Sequence, residues 1–372
     1  MANLADLDEF THHLYDIYKT VKSEGITQPA SLGIHRNDYL LHADPGADAS
    51  TARIQQVEFN TISSSFMSLS TRTSQLHRFL LSTVKAYAGN AIKMDQLPEN
   101  NAVEYIADGL ASAWKHYGNP SARIVMVVQP GERNAFDQRW IEYILQEKHG
   151  ISLMRLTLED IYSRATLSPK NKGLVIDDYE VAVTYFRAGY GPEDYPTQKI
   201  LSTPGCLERY VTKETADDMR TSFAGLYPLD DSPEGIAAYE MALKRYDDLV
   251  MKPQREGGGN NIYGQDIRET LKKLTSKERS AYILMDLIRS PSLENLMIRE
   301  GEVIDGEVIS ELGIYGIYLH DGQQEIVNYP GGHLLRTKAI TTKEGGVAAG
   351  FAVIDSPLLV EEDDKPELGK LE

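Results

Sequence analysis

Three consecutive glycines, Gly257 to Gly259, lie in the stretch 'MKPQREGGGNNIYG' that begins at Met251, between 'RYDDLV' and the amphipathic run 'QDIRETLKKL'. Glycine loses more backbone freedom on folding than any other residue, so three in a row within ordered structure carry an entropic cost that something must offset. A plain turn needs only one or two. With no Cβ atoms in the way, the N–H groups of such a run converge on an anion. Lys252, just upstream, reaches a phosphate as a point charge. Glu256, at the edge of the loop, is placed to hold Mg²⁺, which takes one or two carboxylates together with phosphate oxygens, and Asn261 adds a neutral oxygen. The string is not a Walker-type loop, which needs four residues between its glycines and then Lys-Ser or Lys-Thr, and it is not a dinucleotide fingerprint, whose glycines are spaced. A flexible surface hairpin is the plain alternative, because glycine runs also occur in linkers.

Three further clusters favour the phosphate reading. 'VEFNTISSSF' puts Glu58 and Asn60 two apart, hence on one face of a strand, as a second pair of metal ligands. Ser63, Ser64 and Ser65 follow with hydroxyls and backbone N–H groups. 'GGHLLRTKAI' puts Arg336 and Lys338 on one strand face, and 'KEGGVAAG' is a small-residue loop able to close over a substrate. Each has a plain alternative: an edge strand with a serine turn, a solvated cation pair. The chain carries no HExxH, no CxxC and no Ser-His-Asp or Cys-His logic, and its nine histidines lack metal-ligand spacing. Carboxylates for Mg²⁺, cations for phosphate and glycine loops amount to phosphoryl-transfer chemistry, where positioning and electrostatics do nearly all the work.

Composition removes other classes. A net charge of -17 argues against general binding to nucleic acid, which needs a basic surface. No apolar run is long enough for a bilayer, and 'MANLADLDEF' lacks the cationic start and apolar core of a signal peptide. The single cysteine, Cys206, reads as a buried small apolar group and fits a reducing compartment, so the expected location is cytoplasmic.

At 372 residues the chain has room for two or three domain-sized units. The first segment, with Leu4, Leu7, Phe10, Leu14, Ile17 and Val21 at three- and four-residue spacing and Gly25 as a stop, predicts an amphipathic helix. 'ASLGIHRNDYLLHAD' and 'ARIQQVEFNTIS' read as strands, 'TSQLHRFLLSTVKAYAG' and 'NAVEYIADGLASAWKHYG' as helices. 'ARIVMVV' is a continuous apolar run suited to a buried parallel strand. 'AFDQRWIEYILQEKHG' reads as a helix with a glycine stop, 'ISLMRLTL' as a strand, and 'GLVID' with 'YEVAVTYFR' as a hairpin. Beyond Tyr210 come a helix, the strand 'DDLVMKP', the glycine loop, the helix 'GQDIRETLKKL' and the strand 'SAYILMDLI'. The strands 'EVISELGIYGIYL' and 'QEIVNY', the segment from 'GGHLLRTKA' to 'FAVID' and an acidic solvated tail complete the chain.

With those residues assembled, the chain resembles the eukaryotic-type glutathione synthetases, a family of ATP-grasp ligases. The resemblance is carried by 'QQVEFNTISSSF', 'GERNAFDQR', 'TYFRAGY', 'MKPQREGGGNNIYG', 'YILMDLI', 'ISELGIYG' and 'GGHLLRTKAITTKEGGVAAG', which occur in the family's order. It implies a mixed α/β (α+β) chain of ATP-grasp fold with an inserted small α/β substrate-binding domain. The division would be residues 1–120 for the first part of the body, 121–206 for an apparently truncated insert, and 207–372 for the nucleotide-binding part. It also implies the reaction: ATP phosphorylates the cysteinyl carboxylate of γ-glutamylcysteine, and glycine attacks the acyl phosphate to give glutathione, ADP and phosphate. Homodimers are implied as well, with ATP as co-substrate, Mg²⁺ (two per site) and no nucleic-acid or membrane partner.

By the same resemblance Glu58, Asn60 and Glu256 match Mg²⁺ ligands. Lys252, Gly257, Gly258, Gly259, Asn260, Asn261, Tyr263, Met285, Asp286, Leu287, Ile288, Glu311, Lys338 and Glu344 match ATP contacts. Arg36, Ile62, Ser63, Ser64, Ser65, Glu132, Arg133, Asn134, Gln138, Arg187, Tyr190 and Arg336 match peptide-substrate contacts, with Val347 and Ala348 in the closing loop. Arg336 and Lys252 are the expected catalytic cations.

Departures from the family pattern accompany the match. The family carries a segment before the first helix, and a further helix and strand with an ATP-contacting lysine where this chain has only 'GPEDYPTQKIL'. Ala188 replaces an expected Asp, Leu287 a polar residue, Met67 and Ser68 small residues, and Asp286 and Glu344 each exchange one acid for the other. Two other functions therefore stay open: a non-catalytic or weakly active variant that binds ATP or peptide, and an ATP-grasp ligase with a different amine acceptor.

Overall fold

The computed structural model describes residues 9–47, 51–83, 92–169, 172–189, 207–253, 260–342, 346–347 and 350–360. The expected positions Tyr190, Cys206, Glu256, Gly257, Gly258, Gly259, Glu344 and Ala348 lie outside them. In chain order the first part comprises α1 (Glu9–Glu24), β1 (Ser31–His42), β2 (Arg53–Asn60), α2 (Met67–Thr83) and α3 (Ala102–Tyr117). Next come β3 (Arg123–Val127), α4 (Ala135–His149), β4 (Leu153–Leu156), α5 (Leu158–Arg164), β5 (Ala165–Leu167), β6 (Leu174–Ile176) and β7 (Tyr179–Phe186). The second half holds α6 (Lys213–Thr221), β8 (Leu226–Pro228), α7 (Pro233–Arg245), β9 (Leu249–Pro253), β10 (Ile262–Tyr263), α8 (Gln265–Lys273) and β11 (Tyr282–Asp286). It ends in β12 (Leu293–Arg299), β13 (Glu302–His320), β14 (Glu325–Ala339) and β15 (Val353–Asp355).

These strands build three sheets. The central one is antiparallel, in the order β15-β14-β13-β1-β2, with β12 hydrogen-bonded to the far end of β13. A second, β10-β9-β11-β8, carries the strand that leads into the glycine loop. The third, β4-β3-β7-β6-β5, has β3 parallel to both β4 and β7, as the unbroken apolar run of β3 requires. Its β6–β7 hairpin turns through Asp177 and Asp178, both at positive φ (48 and 68), which matches the twist of the strands it joins.

One face of the central sheet changes chemistry halfway along. At one end Ile34 of β1 and Ile317 of β13 lie buried beneath α3, in one core with Ile106, Ala107 and Leu110. Two residues further along β1 the same face turns polar, from Arg36 to Asp38, and β2 continues it with Glu58 and Asn60. Alternation in a strand supplies the shared face, and α3 covers only the apolar half. The second sheet is also two-faced. Leu249 and Met251 point into the core with α7 and α8, while Val250 groups with Ala224 and Met285 on the opposite face.

Several expectations shift. The helix expected from Thr73 starts six residues earlier, at Met67. 'ISLMRLTL' is a strand only over Leu153–Leu156, because the Thr157 side chain accepts from Asp160 N and caps α5. 'QEIVNY' and 'GGHLLRTKA' form one continuous strand, and β12 and β5 were not foreseen. In α1, Ile17 and Val21 of the apolar stripe are 60% and 47% exposed, since no described element packs closely on that helix. Gly150 does end α4 as expected, in the left-handed conformation that favours glycine.

Candidate active site

The polar half of the central sheet gathers side chains from four strands. β1 sets Arg36 opposite Asn60 and Asp38 opposite Glu58. β13 sets Tyr315 opposite Arg36, Gly313 opposite Asp38, and Glu311 opposite Arg336 of β14, with Lys338 on the same face of β14. Asp38, fully buried, is the hub. Arg36 donates to it through Nε at 2.6 Å and Nη2 at 2.8 Å, Arg336 through Nη2 at 3.0 Å, and Asn60 through Nδ2 at 3.0 Å. Arg336 also pairs with Glu311. Burial works against the Asp38 carboxylate, but Arg36 and Arg336 outweigh it and hold the group below its ordinary range.

The two arginines differ in their balance. Burial works against Arg36, yet its charge pairing with Asp38 prevails and holds it above its ordinary value. Burial lowers Arg336 below its ordinary value, with the attraction of Asp38 opposing it and the like charge of Arg36 adding to it. Both guanidiniums keep their charge, Arg36 held by one carboxylate and Arg336 shared between Asp38 and Glu311.

The serine loop lies over this cluster. Arg36 Nη1 donates to the Ser65 carbonyl at 3.4 Å and the Tyr315 hydroxyl donates to the same oxygen at 2.5 Å. Arg187 Nη1 donates to the Ser63 carbonyl at 3.4 Å, and Ser63 N–H donates to Phe186 O at 3.3 Å. Ser63 and Phe66 are non-glycine residues at positive φ (55 and 73), a conformation that persists only where surroundings enforce it. Here Asp137 of α4 does so. Its carboxylate accepts from the N–H groups of Phe66 and Ser68, each at 2.8 Å, and of Leu69 at 3.3 Å, so a residue from another helix caps α2. Asp137 in turn pairs with Arg187 at 3.3 Å, both side chains buried. The Ser63 hydroxyl is buried without a hydrogen-bond partner, and Ser64 Oγ makes only a long contact, 3.5 Å, to Asn60 O. Ile62 is half-buried.

At the first turn of α4, Glu132 accepts from Asn134 N–H at 2.7 Å and from Gln138 Nε2 at 3.0 Å, while Gln138 accepts from Arg155 Nε at 3.1 Å. Arg133 is exposed. Arg155, Asp38, Asp137, Gly313 and Tyr315 were not foreseen. Asp38 alone had a signal, its position two residues after Arg36 on a strand.

The second sheet reaches this cluster through Lys252. Between Asp38 and Tyr39 the β1–β2 register slips: Asp38 faces Glu58, but Tyr39 faces Gln56, so Val57 is skipped as a bulge. The skipped carbonyl accepts from Lys252 Nζ at 3.4 Å. The bulge also turns Gln56 to the other face, where its Nε2 donates to Asn37 Oδ1 at 2.5 Å. Tyr263, Met285 and Ile288 share the apolar patch of Val250 and Ala224, and Asn261 Nδ2 donates to the Tyr263 hydroxyl at 3.4 Å. Asp286 accepts from the Tyr227 hydroxyl at 3.0 Å, and the N–H groups of Asp286 and Leu287 go to Gly225 O and Asp248 O. Asn260 is exposed, and Val347 packs against the main core.

Cations, carboxylates and hydroxyls carried by elements of three sheets thus come together, and Lys252 links them to the sheet that carries the Met285 and Ile288 apolar group. Such an arrangement suits a phosphate chain and an anionic substrate lying end to end with a nucleotide base.

Comparison with known proteins agrees. Residues 1–359 match the family described as eukaryotic glutathione synthase, ATP binding domain. Among curated relatives, glutathione synthetase of Xenopus laevis is 39% identical over 394 aligned positions, covering 97% of this chain and 81% of that protein. The Homo sapiens glutathione synthetase is 40% identical, covering 94% of this chain and 79% of its own length. The Xenopus alignment is longer than the 372 residues of the chain, so that relative carries residues with no counterpart here. A solved structure of a glutathione synthetase-like effector from Globodera pallida superposes with a TM-score of 0.72 over 96% of this chain and 83% of that one; at 22% identity the likeness speaks for the fold.

Proposed function

We propose, on the premise that this chain belongs to the eukaryotic glutathione synthetase family, that the cleft between the central and second sheets is where ATP activates a peptide carboxylate. The chain is an ATP-dependent ligase that joins glycine to γ-glutamylcysteine, making glutathione, ADP and phosphate. One observation carries the assignment of the site: Lys252, on the strand that leads into the glycine loop, reaches the bulged carbonyl next to Glu58. That contact supports a reading in which the phosphate-binding strand and the acidic strand serve one site.

In this reading the apolar patch of Met285 and Ile288 takes the adenine, and Lys252, Lys338 and the glycine loop take the phosphates. Arg336, fixed between Asp38 and Glu311, binds the anionic oxygen that develops as the carboxylate attacks the terminal phosphate and glycine then displaces phosphate. Ser63, with its unused buried hydroxyl, and Arg187 orient the peptide, while Gln138 and Glu132 bind its polar end. The Val347 loop keeps water from the acyl phosphate.

Glu58 and Asn60 fit Mg²⁺, since both offer hard oxygens and the Asn60 amide nitrogen is turned to the Arg36 carbonyl and Asp38. Bound there with Glu256, the ion would neutralise phosphate charge. We take the working form to be a cytoplasmic homodimer. No helix among the described residues is long and apolar enough to cross a membrane.

The test is turnover. Purified chain with ATP, Mg²⁺ and γ-glutamylcysteine should release ADP and form glutathione when glycine is added. Release with a different amine only would reassign the acceptor. ATP binding without turnover would make the chain a binding module.

A further inference from the structure

Asp38 touches none of the reacting atoms in the scheme above, yet it lies among the groups that do. Its carboxylate receives four N–H donors: two from Arg36, one from Arg336 and one from Asn60. That number fills the acceptor sites of a carboxylate, so little capacity remains for a metal or substrate. Across the ladder stands Gly313. A Cβ built there would lie 2.7 Å from Asp38 Oδ1 and 2.8 Å from Arg36 Cδ, closer than real Cβ atoms approach. Gly313 is not among the glycines at positive φ. What the site uses is its missing side chain, not its conformational freedom.

We propose that Asp38, given room by Gly313, is a positioning residue for the ligation: it fixes the spacing of the Arg36 and Arg336 guanidiniums and turns the Asn60 amide. The inference rests on the ligase reading above. Two buried guanidiniums repel each other, and without a carboxylate between them each would relax toward another acceptor, Arg336 toward Glu311 and Arg36 toward Ser65 O. A carboxylate that takes both edges of one fork and the tip of another removes that freedom before substrate arrives. Cations fixed in advance stabilise developing charge without reorganising during the reaction. The Asn60 donation works the same way, because an amide whose nitrogen is held presents its oxygen in one direction.

Steady-state kinetics of the full chain test this. Asp38→Asn keeps the shape, removes the charge and replaces an acceptor with a donor. Its kcat should fall roughly 100-fold. The KM for γ-glutamylcysteine should rise roughly tenfold and the KM for ATP by clearly less, because the adenine group lies on the other sheet and Asp38 reaches the phosphate end only through Asn60 and Arg336. Gly313→Ala should give the same split, more weakly, without altering any charge. The proposal is overturned if the Asp38→Asn kcat and peptide KM stay within about twofold of the parent, or if the KM for ATP rises as much as the KM for the peptide. It is equally overturned if both variants fail to fold, since the two residues would then belong to the scaffold. Absence of glycine-dependent turnover in the parent chain would instead break the ligase reading. Calorimetric binding of γ-glutamylcysteine would then decide: equal affinity in parent and variants sinks the positioning role, and weaker binding in both variants sustains it.

Discussion

Arg36 with Asp38 and Arg187 with Asp137 are both buried ion pairs, and each arginine donates to a carbonyl of the same loop, Ser65 in one case and Ser63 in the other. They differ in what else the aspartate holds. Asp137 accepts from three backbone N–H groups at the start of α2. Asp38 accepts from the side chains of Arg336 and Asn60. A carboxylate bound to backbone fixes where the chain goes, whereas one bound to side chains fixes how functional groups point. Asp137 therefore serves the fold and Asp38 the site.

The largest expected effect falls on the folding pair. Asp137→Ala leaves Arg187 buried without its carboxylate and uncaps α2, so it should cost roughly 3–5 kcal/mol of stability. Urea denaturation measures this, and a loss below about 1 kcal/mol would erase the distinction between the pairs. Next comes the site pair. Arg336→Met should lower glycine-dependent turnover by roughly 100- to 1,000-fold, with a smaller shift of the urea midpoint than Asp137→Ala produces. If the two variants lost stability equally, both pairs would be scaffold.

Acid gives the smallest effect and separates both pairs from their surroundings. Burial holds His35 and His333 below their ordinary values, so the folded state favours their neutral forms. Their contribution to stability is complete above about pH 6.5 and is lost as pH falls through the depressed folded values. Asp38, also depressed, contributes stability above about pH 4 that is lost only at lower pH. Urea midpoints should thus begin to decline below about pH 6.5, and the decline should shrink in a His35→Gln, His333→Gln double variant. An unchanged slope in that variant would move the titration elsewhere.

How much of this was legible can be followed residue by residue. Glu58 with Asn60, and Arg336 with Lys338, were readable as pairs because strand alternation is a local rule. The hairpin at Asp177 and the parallel β3 were readable from their own segments. The start of α2 was not: the expected helix began at Thr73, but it begins at Met67, where Asp137, remote in sequence, satisfies its first N–H groups. Asp38 stood two residues from Arg36 and passed as an ordinary strand position, since nothing local marks a side chain that will also meet Arg336 from a distant strand.

The sequence by itself determined what depends on neighbours along the chain: which faces alternate, where apolar runs bury strands, where bare backbone can meet an anion, and through its motifs the family. The tertiary structure decided what depends on neighbours across it. The bulge at Val57 turns one carbonyl toward Lys252, Gly313 leaves room for a carboxylate between two arginines, and the coverage of α3 stops where the sheet face becomes charged. These are matters of register and close approach, set by where distant strands and helices come to rest, and no local rule of spacing encodes them.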